Sequence, residues 1–273
     1  MSFGPNPWHQ TSWDARAAGN FMAGGAGSGL IVAAALGGGP AWLFLAGAAI
    51  VGIGLMCVWA EIGRPWRALN VFFHPRTSWM TREAIVAQAL MLLALAAALG
   101  VGAAAAGAAL VALAFVYCQG RILRAARGIP AWREPTIVPL IAATGLAEGF
   151  GLWLLLAGRL APLPAWVALA AALLARQWLW GRWRARIQAA PRAHAAIDAA
   201  GRAFQAGTLL ALALAGVALL APLPPAAAWA LQAAAGLAAL AAGLWFKFTL
   251  VTRAAFNQGF ALPHLPVRGA RRS

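Results

Sequence analysis

Eight apolar runs, each long enough to cross a bilayer as a helix, constrain this chain more than any other feature. They fall at about 17–36, 40–60, 83–101, 103–120, 136–158, 163–180, 204–221 and 225–251. A spanning helix needs about 20 mostly apolar residues, and no strand-like alternation competes with these runs. The third and fourth runs together are too long for one crossing, so "GVG" between them reads as a turn. The short connections "GGGP" and "APLPP" force neighbouring helices to lie antiparallel. Pro40, Pro164, Pro224 and Pro225 sit near helix starts, where a missing N–H costs little. The predicted fold is an all-α membrane bundle of about eight helices. It forms one integral membrane domain in two four-helix halves, about 1–130 and 131–273.

Composition agrees. Of 273 residues, 63% are hydrophobic and only 10% charged, against about 25% charged in a soluble domain. A net charge of +15 suggests nucleic-acid binding in a soluble protein. Here the cations lie between apolar runs, so membrane topology accounts for them and nucleic acid is not an expected partner. With eight spans, every Lys and Arg except Arg159 falls on one side. The positive-inside rule makes that side, and both termini, cytoplasmic. A basic face also suits docking of an acidic partner. Residues 1–16 are polar and Trp-bearing, so no cleaved signal peptide is expected. The polar stretch Gly181–Phe204 reads as an interfacial helix on anionic headgroups or as a docking surface.

Polar chemistry concentrates in "EIGRPWRALNVFFHPRTSWMTREA", Glu61–Ala84. Glu61 closes the second run and Glu83 opens the third, so both acids lie near one membrane surface. Trp59, Trp66 and Trp79 bracket them as an aromatic belt would. Apolar walls with acids and arginines at the rim suit a ligand with a polar ring and a greasy tail, such as a quinone. Its carbonyls accept hydrogen bonds, and its redox chemistry moves two protons that an interfacial carboxyl can deliver or collect. Candidate quinone-binding residues are Glu61, Arg64, Arg67 and Glu83. A purely structural reading stands beside this one: Glu83 as a macrodipole-favoured helix start, Glu61 paired with Arg64 or Arg67.

Glu148 lies deep in the fifth run, flanked by Gly145, Gly149 and Gly151. It is a candidate for proton transfer with Glu83, or a carboxyl hydrogen-bonded across a helix interface. Lys247 and Arg253 close the last run, where snorkelling to the interface accounts for both; Arg253 alternatively lines the polar pocket. Asn20 and Gln88 are suited to interhelical hydrogen bonds. Cys57 and Cys118 are single, without a C-x-x-C, and read as buried thiols. His9, His74, His194 and His264 all lie in loop or terminal segments, so neither haem nor an iron–sulfur cluster is expected in this chain, and no metal site.

"EIGRPWRALN" followed by "SWMTRE" resembles the membrane-anchor subunits of dimethyl-sulfoxide-reductase-type molybdenum oxidoreductases. Their pattern is His-Leu-Gly-x-Pro-x-Arg-Ala, then Ser-x-x-x-x-Glu. Gly63, Pro65, Arg67, Ala68, Ser78 and Glu83 fit it, and Glu61 occupies the place of the histidine. Gly63, Pro65 and Ser78 are the motif's structural positions. "VYCQGR…IPAWREPTIVPL" (Val116–Leu140) extends the likeness more weakly. The resemblance implies an anchor for a molybdopterin catalytic subunit and an iron–sulfur subunit, with a site that exchanges electrons with menaquinone or ubiquinone. The chain is also similar to anchors of phenylacetyl-CoA:acceptor oxidoreductase, whose CoA thioester substrate is cytoplasmic. Two other functions are weighed against this one. One is a purely structural anchor. The other is a secondary transporter with Glu148 at midplane, which internal repeats with broken helices would favour. "NFMAGGAGSGLIVAAAL" and "LIAATGLAEGFGLWLLLA" echo each other only loosely.

Overall fold

The computed structural model describes residues 6–61, 65–158 and 160–259. Eight long helices form an all-α polytopic bundle: α1 Ala15–Gly37, α2 Trp42–Glu61, α3 Trp79–Ala98, α4 Gly102–Ala125, α5 Ile137–Leu156, α6 Leu163–Arg186, α7 Pro191–Leu220 and α8 Pro225–Thr252. All eight are long and apolar enough to cross a membrane. Short 3-10 helices, Pro65–Phe73 and Pro130–Trp132, precede α3 and α5.

Local chemistry fixes the helix ends. Asp14 caps α1, its Oδ1 accepting from the Arg16 N–H at 2.7 Å while Oδ2 accepts from Arg16 Nε at 2.9 Å. Arg16 holds the exposed Asp14 carboxyl below the usual carboxylate range. A lowered folded-state pKa stabilises above the unfolded value, near 3.8, and that contribution disappears as pH falls through the folded value. Asp14→Asn is therefore expected to lower the stability of the purified protein near neutrality, and the difference from wild type closes as pH falls through the folded value. Ser78 caps α3, its Oγ accepting from the Thr81 N–H at 3.3 Å. Gly100, at φ 87°, makes the turn expected between the third and fourth spans. Proline occupies the first turns of α6, α7 and α8.

Two boundaries differ from the sequence reading. Gly181–Phe204 is not a separate interfacial helix, because α6 and α7 run into it from both sides and leave only 187–190 between them. Arg and Ala are strong helix formers, and Arg184 grips Asp198 across the pair at 2.5 and 2.8 Å. At 30 residues, α7 is about 45 Å long, well beyond a hydrocarbon core of about 30 Å. The third helix starts at Trp79 rather than at Glu83. Glu83 therefore lies in the second turn, past the reach of the helix-start explanation.

The bundle is organised on α1 and α5, its two most buried helices. α1 packs on α2, α4, α5 and α8, so the two halves share one interior. Gly25 faces Gly145 and Gly29 faces Gly149, each pair four residues apart on its helix. This small-xxx-small arrangement brings two backbones together without side chains between them. The loosely similar stretches in α1 and α5 thus pack directly against each other, and both helices are continuous.

Consecutive helices place the ends near residues 15, 61, 79, 125, 137, 186, 191 and 252 at one end of the bundle. The chain's two ends meet there: His9 and Phe256 form an isolated antiparallel bridge, and the Gln10 N–H donates to Ala255 O at 3.0 Å. Most of the described cations lie at this basic end. Arg159, Arg268, Arg271 and Arg272 lie outside the described residues.

Lys247 and Arg176 are the exceptions, and both correct the sequence reading. Lys247 does not snorkel. It is fully buried, and its Nζ donates to Glu148 Oε2 at 2.5 Å and to Phe21 O at 2.9 Å. Arg176 is not a loop cation but a buried residue of α6. It donates from Nε to Thr208 Oγ1 and from Nη1 to Ala239 O, both at 2.9 Å. A cation near the end of an apolar run is drawn inward when polar partners on other helices wait for it.

Candidate functional site

Glu61 and Glu83 line one groove at the basic end, about 300 Å³ in volume. The C-terminal end of α2 supplies Glu61 and Val58; the first turns of α3 supply Met80 and Glu83; α1 supplies Asn20 and Phe21. Glu83 is buried, whereas Glu61 is half-buried. Asn20 Nδ2 donates to Glu83 Oε1 over a long 3.4 Å. Gln119 of α4, in turn, donates from Nε2 to Asn20 O at 2.9 Å. Asn20 Oδ1 and Gln119 Oε1 are buried, with no hydrogen-bond partner among the described residues. Buried acceptors left open beside a carboxyl are sites where a ligand hydroxyl or a water gains a full hydrogen bond.

A second hollow of about 350 Å³ adjoins the first and shares Val58, Met80 and Glu83 with it. Its other walls are chiefly apolar: Leu55 and Trp59 from α2, and Ala68, Leu69 and Phe72 from the 3-10 helix. Gln88 of α3 also lines it. The 3-10 helix exposes Trp66, Leu69 and Phe73, as a segment lying at headgroup depth would. Glu83 therefore stands between the groove that holds Glu61 and Asn20 and a second hollow with no other carboxyl in its lining.

The other expected site residues divide. Ser78 caps α3 and so sets the start of the helix that carries Glu83. Pro65 opens the 3-10 helix. Arg67 is exposed and lines neither hollow. Arg64 and Gly63 lie outside the described residues. Arg253 does not reach the groove; its guanidinium lies 4.9 Å from the Trp245 ring. Glu148 is fully buried and bound to Lys247, away from both hollows. It touches the groove only through α1, since the Phe21 carbonyl that holds Lys247 belongs to a groove-lining residue. Sequence reasoning passed over Gln119, although a lone amide inside an apolar span was a readable signal.

The fold defines a multi-pass membrane protein with a carboxyl-bearing groove at one end. No protein-family model matches the chain, and no curated protein matches it.

Proposed function

We propose that the chain is the integral membrane anchor and quinone-interacting subunit of a molybdopterin/iron–sulfur oxidoreductase, with its basic end in the cytoplasm of a bacterial inner membrane. The observation that carries this reading is the position of Glu83, shared by a groove that also holds Glu61 and Asn20 and by an adjoining, chiefly apolar hollow at the basic end. A quinone head group fits the first and the start of its isoprenoid tail fits the second. The open acceptor on groove-lining Asn20 suits a hydroxyl of a quinol. Interconversion of quinone and quinol moves two electrons and two protons. The electrons pass to or from the iron–sulfur partner. This chain's own residues bind, orient and handle the protons. Glu83 exchanges a proton with the ring oxygen, Asn20 holds the carboxyl in place, and half-exposed Glu61 connects it to the aqueous surface. The motif's likeness to dimethyl-sulfoxide-reductase-type anchors, and to those of phenylacetyl-CoA:acceptor oxidoreductase, supports the same reading. The exposed cations of the basic end supply a surface for the soluble subunits.

The test is steady-state turnover of the purified complex with quinone and, separately, with a soluble dye that takes electrons from the partner subunits directly. Glu83→Gln keeps size and polarity but removes the exchangeable proton. Quinone-linked turnover is expected to fall by about 100-fold or more, the usual worth of a positioned acid–base group, while dye-linked turnover stays at the wild-type rate. Unchanged quinone kinetics in this variant overturn the site and leave a purely structural anchor.

A further inference from the structure

A separate hollow of about 410 Å³ lies at the basic end, where the start of α3, the end of α4 and the following connection converge. Thr77, Trp79, Arg121, Arg124, Arg127 and Arg133 line it, and no carboxylate does. Arg121, Arg124 and Arg127 form no ion pair among the described residues. Arg121 and Arg133 are held in place. Arg121 Nη1 donates to Tyr117 Oη at 2.6 Å, and its guanidinium lies 4.1 Å from the Trp79 ring, with Arg82 at the same distance. Arg133 donates from Nε to Arg127 O at 2.5 Å and from Nη2 to Gln258 Oε1 at 2.9 Å. The first turn of α3 carries no acid, and Arg82 stands there against the helix dipole. Three guanidiniums without a carboxylate partner repel one another around this concavity until an anion enters.

The outer face of α4 indicates which anion. Leu110, Leu113, Tyr117, Arg121 and Arg124 recur at helical spacing along one stripe. Leu110, Leu113 and Tyr117 are 68%, 39% and 44% exposed. The stripe runs from apolar side chains at bilayer depth to arginines at headgroup depth. A free phosphate uses only the last two positions, whereas a phospholipid uses all five. We infer that this hollow binds the phosphate of a net-anionic membrane lipid, with an acyl chain lying along α4.

The experiment uses the full chain purified in a non-ionic detergent, titrated with phosphatidylglycerol or phosphatidylcholine and read by native mass spectrometry. Wild type is expected to retain one phosphatidylglycerol in strong preference to phosphatidylcholine. Arg124→Ala/Arg127→Ala is expected to weaken that retention by about tenfold to thirtyfold, from roughly additive contributions of two interfacial cations. Arg192→Ala/Arg202→Ala, which removes equal charge elsewhere on the basic end, is expected to retain the lipid. Arg124→Lys/Arg127→Lys keeps the charge and serves as the measured pair if the alanine variant does not stay monodisperse. Lysine lacks the guanidinium fork that meets a phosphate, so retention is expected to fall several-fold below that of Arg192→Lys/Arg202→Lys, and equal retention by the two lysine pairs overturns the proposal. Equal retention of the two lipids, or equal losses from both alanine pairs, overturns the proposal. Displacement by millimolar inorganic phosphate makes it a free-anion site, and displacement by a short polyglutamate peptide makes it a protein-docking site; either result also overturns it.

Discussion

Lys247→Met is expected to destabilise the protein by about 3–5 kcal/mol, the usual cost of leaving one member of a buried ion pair behind. Methionine fills most of the lysine's volume, so packing loss is small and the electrostatic effect dominates. Glu148 then sits fully buried in α5 without the cation that holds its Oε2, and its Oε1 already lacks a hydrogen-bond partner among the described residues. Arg176 is within electrostatic reach of Glu148, but its Nε and Nη1 are held by Thr208 and Ala239, and its buried Nη2 has no hydrogen-bond partner among the described residues. The pair as a whole has a smaller net worth than either half suggests, because desolvation offsets most of the attraction. Glu148→Gln/Lys247→Met is therefore expected to recover most of the loss. The measurement is the temperature at which half of the detergent-solubilised protein leaves the monodisperse peak. A single variant as stable as wild type, or a double variant worse than both singles, would sink this account.

Gly149→Ala is expected to cost about 3 kcal/mol or more, at or above the upper end for overpacking. A methyl at Gly149 overlaps the backbone of Gly29 and the Leu30 nitrogen. No flexible side chain is there to move aside, so α1 and α5 must separate along their crossing. Gly52→Ala is the comparison, since a methyl there meets nothing within 4 Å. It gains up to about 1 kcal/mol of helix propensity instead. Equal stabilities for the two variants would show that the α1–α5 contact does not hold the bundle together. Because α1 also supplies Asn20 and Phe21 to the groove, Gly149→Ala should weaken quinone-linked turnover even where protein survives.

The eight spans were readable because run length against bilayer thickness is a strong constraint, and each helix lies close to its expected run. Helix ends were less readable. Ala-rich and Arg-rich sequence continues a helix beyond the membrane as readily as it ends one, so hydropathy alone stopped α6 and α7 short. The groove was half legible. Glu61 and Glu83 come together because they terminate consecutive antiparallel helices, a consequence of order along the chain. Gln119 and Asn20 join them through tertiary packing of α4 on α1, which no local pattern announces. Arg67 fits the motif but lies outside both hollows, since matching a spacing fixes a backbone position and not where a side chain ends. Lys247 and Arg176 were misplaced for the same reason: their partners lie 99 and 32 residues away, while snorkelling is the cheapest local explanation of a cation near a span's end.

The bond from Lys247 to Phe21 ends on a main-chain oxygen. Every amino acid brings that oxygen, so the tether itself makes no demand on the side chain at position 21; burial and the stacking of Phe21 on Trp13 make that demand instead. The sequence restriction moves one helical turn onward to Gly25, where any side chain would occupy the ammonium's place. A saturation scan would then read the demands of core packing at position 21 and, at Gly25, the space that the buried ammonium needs.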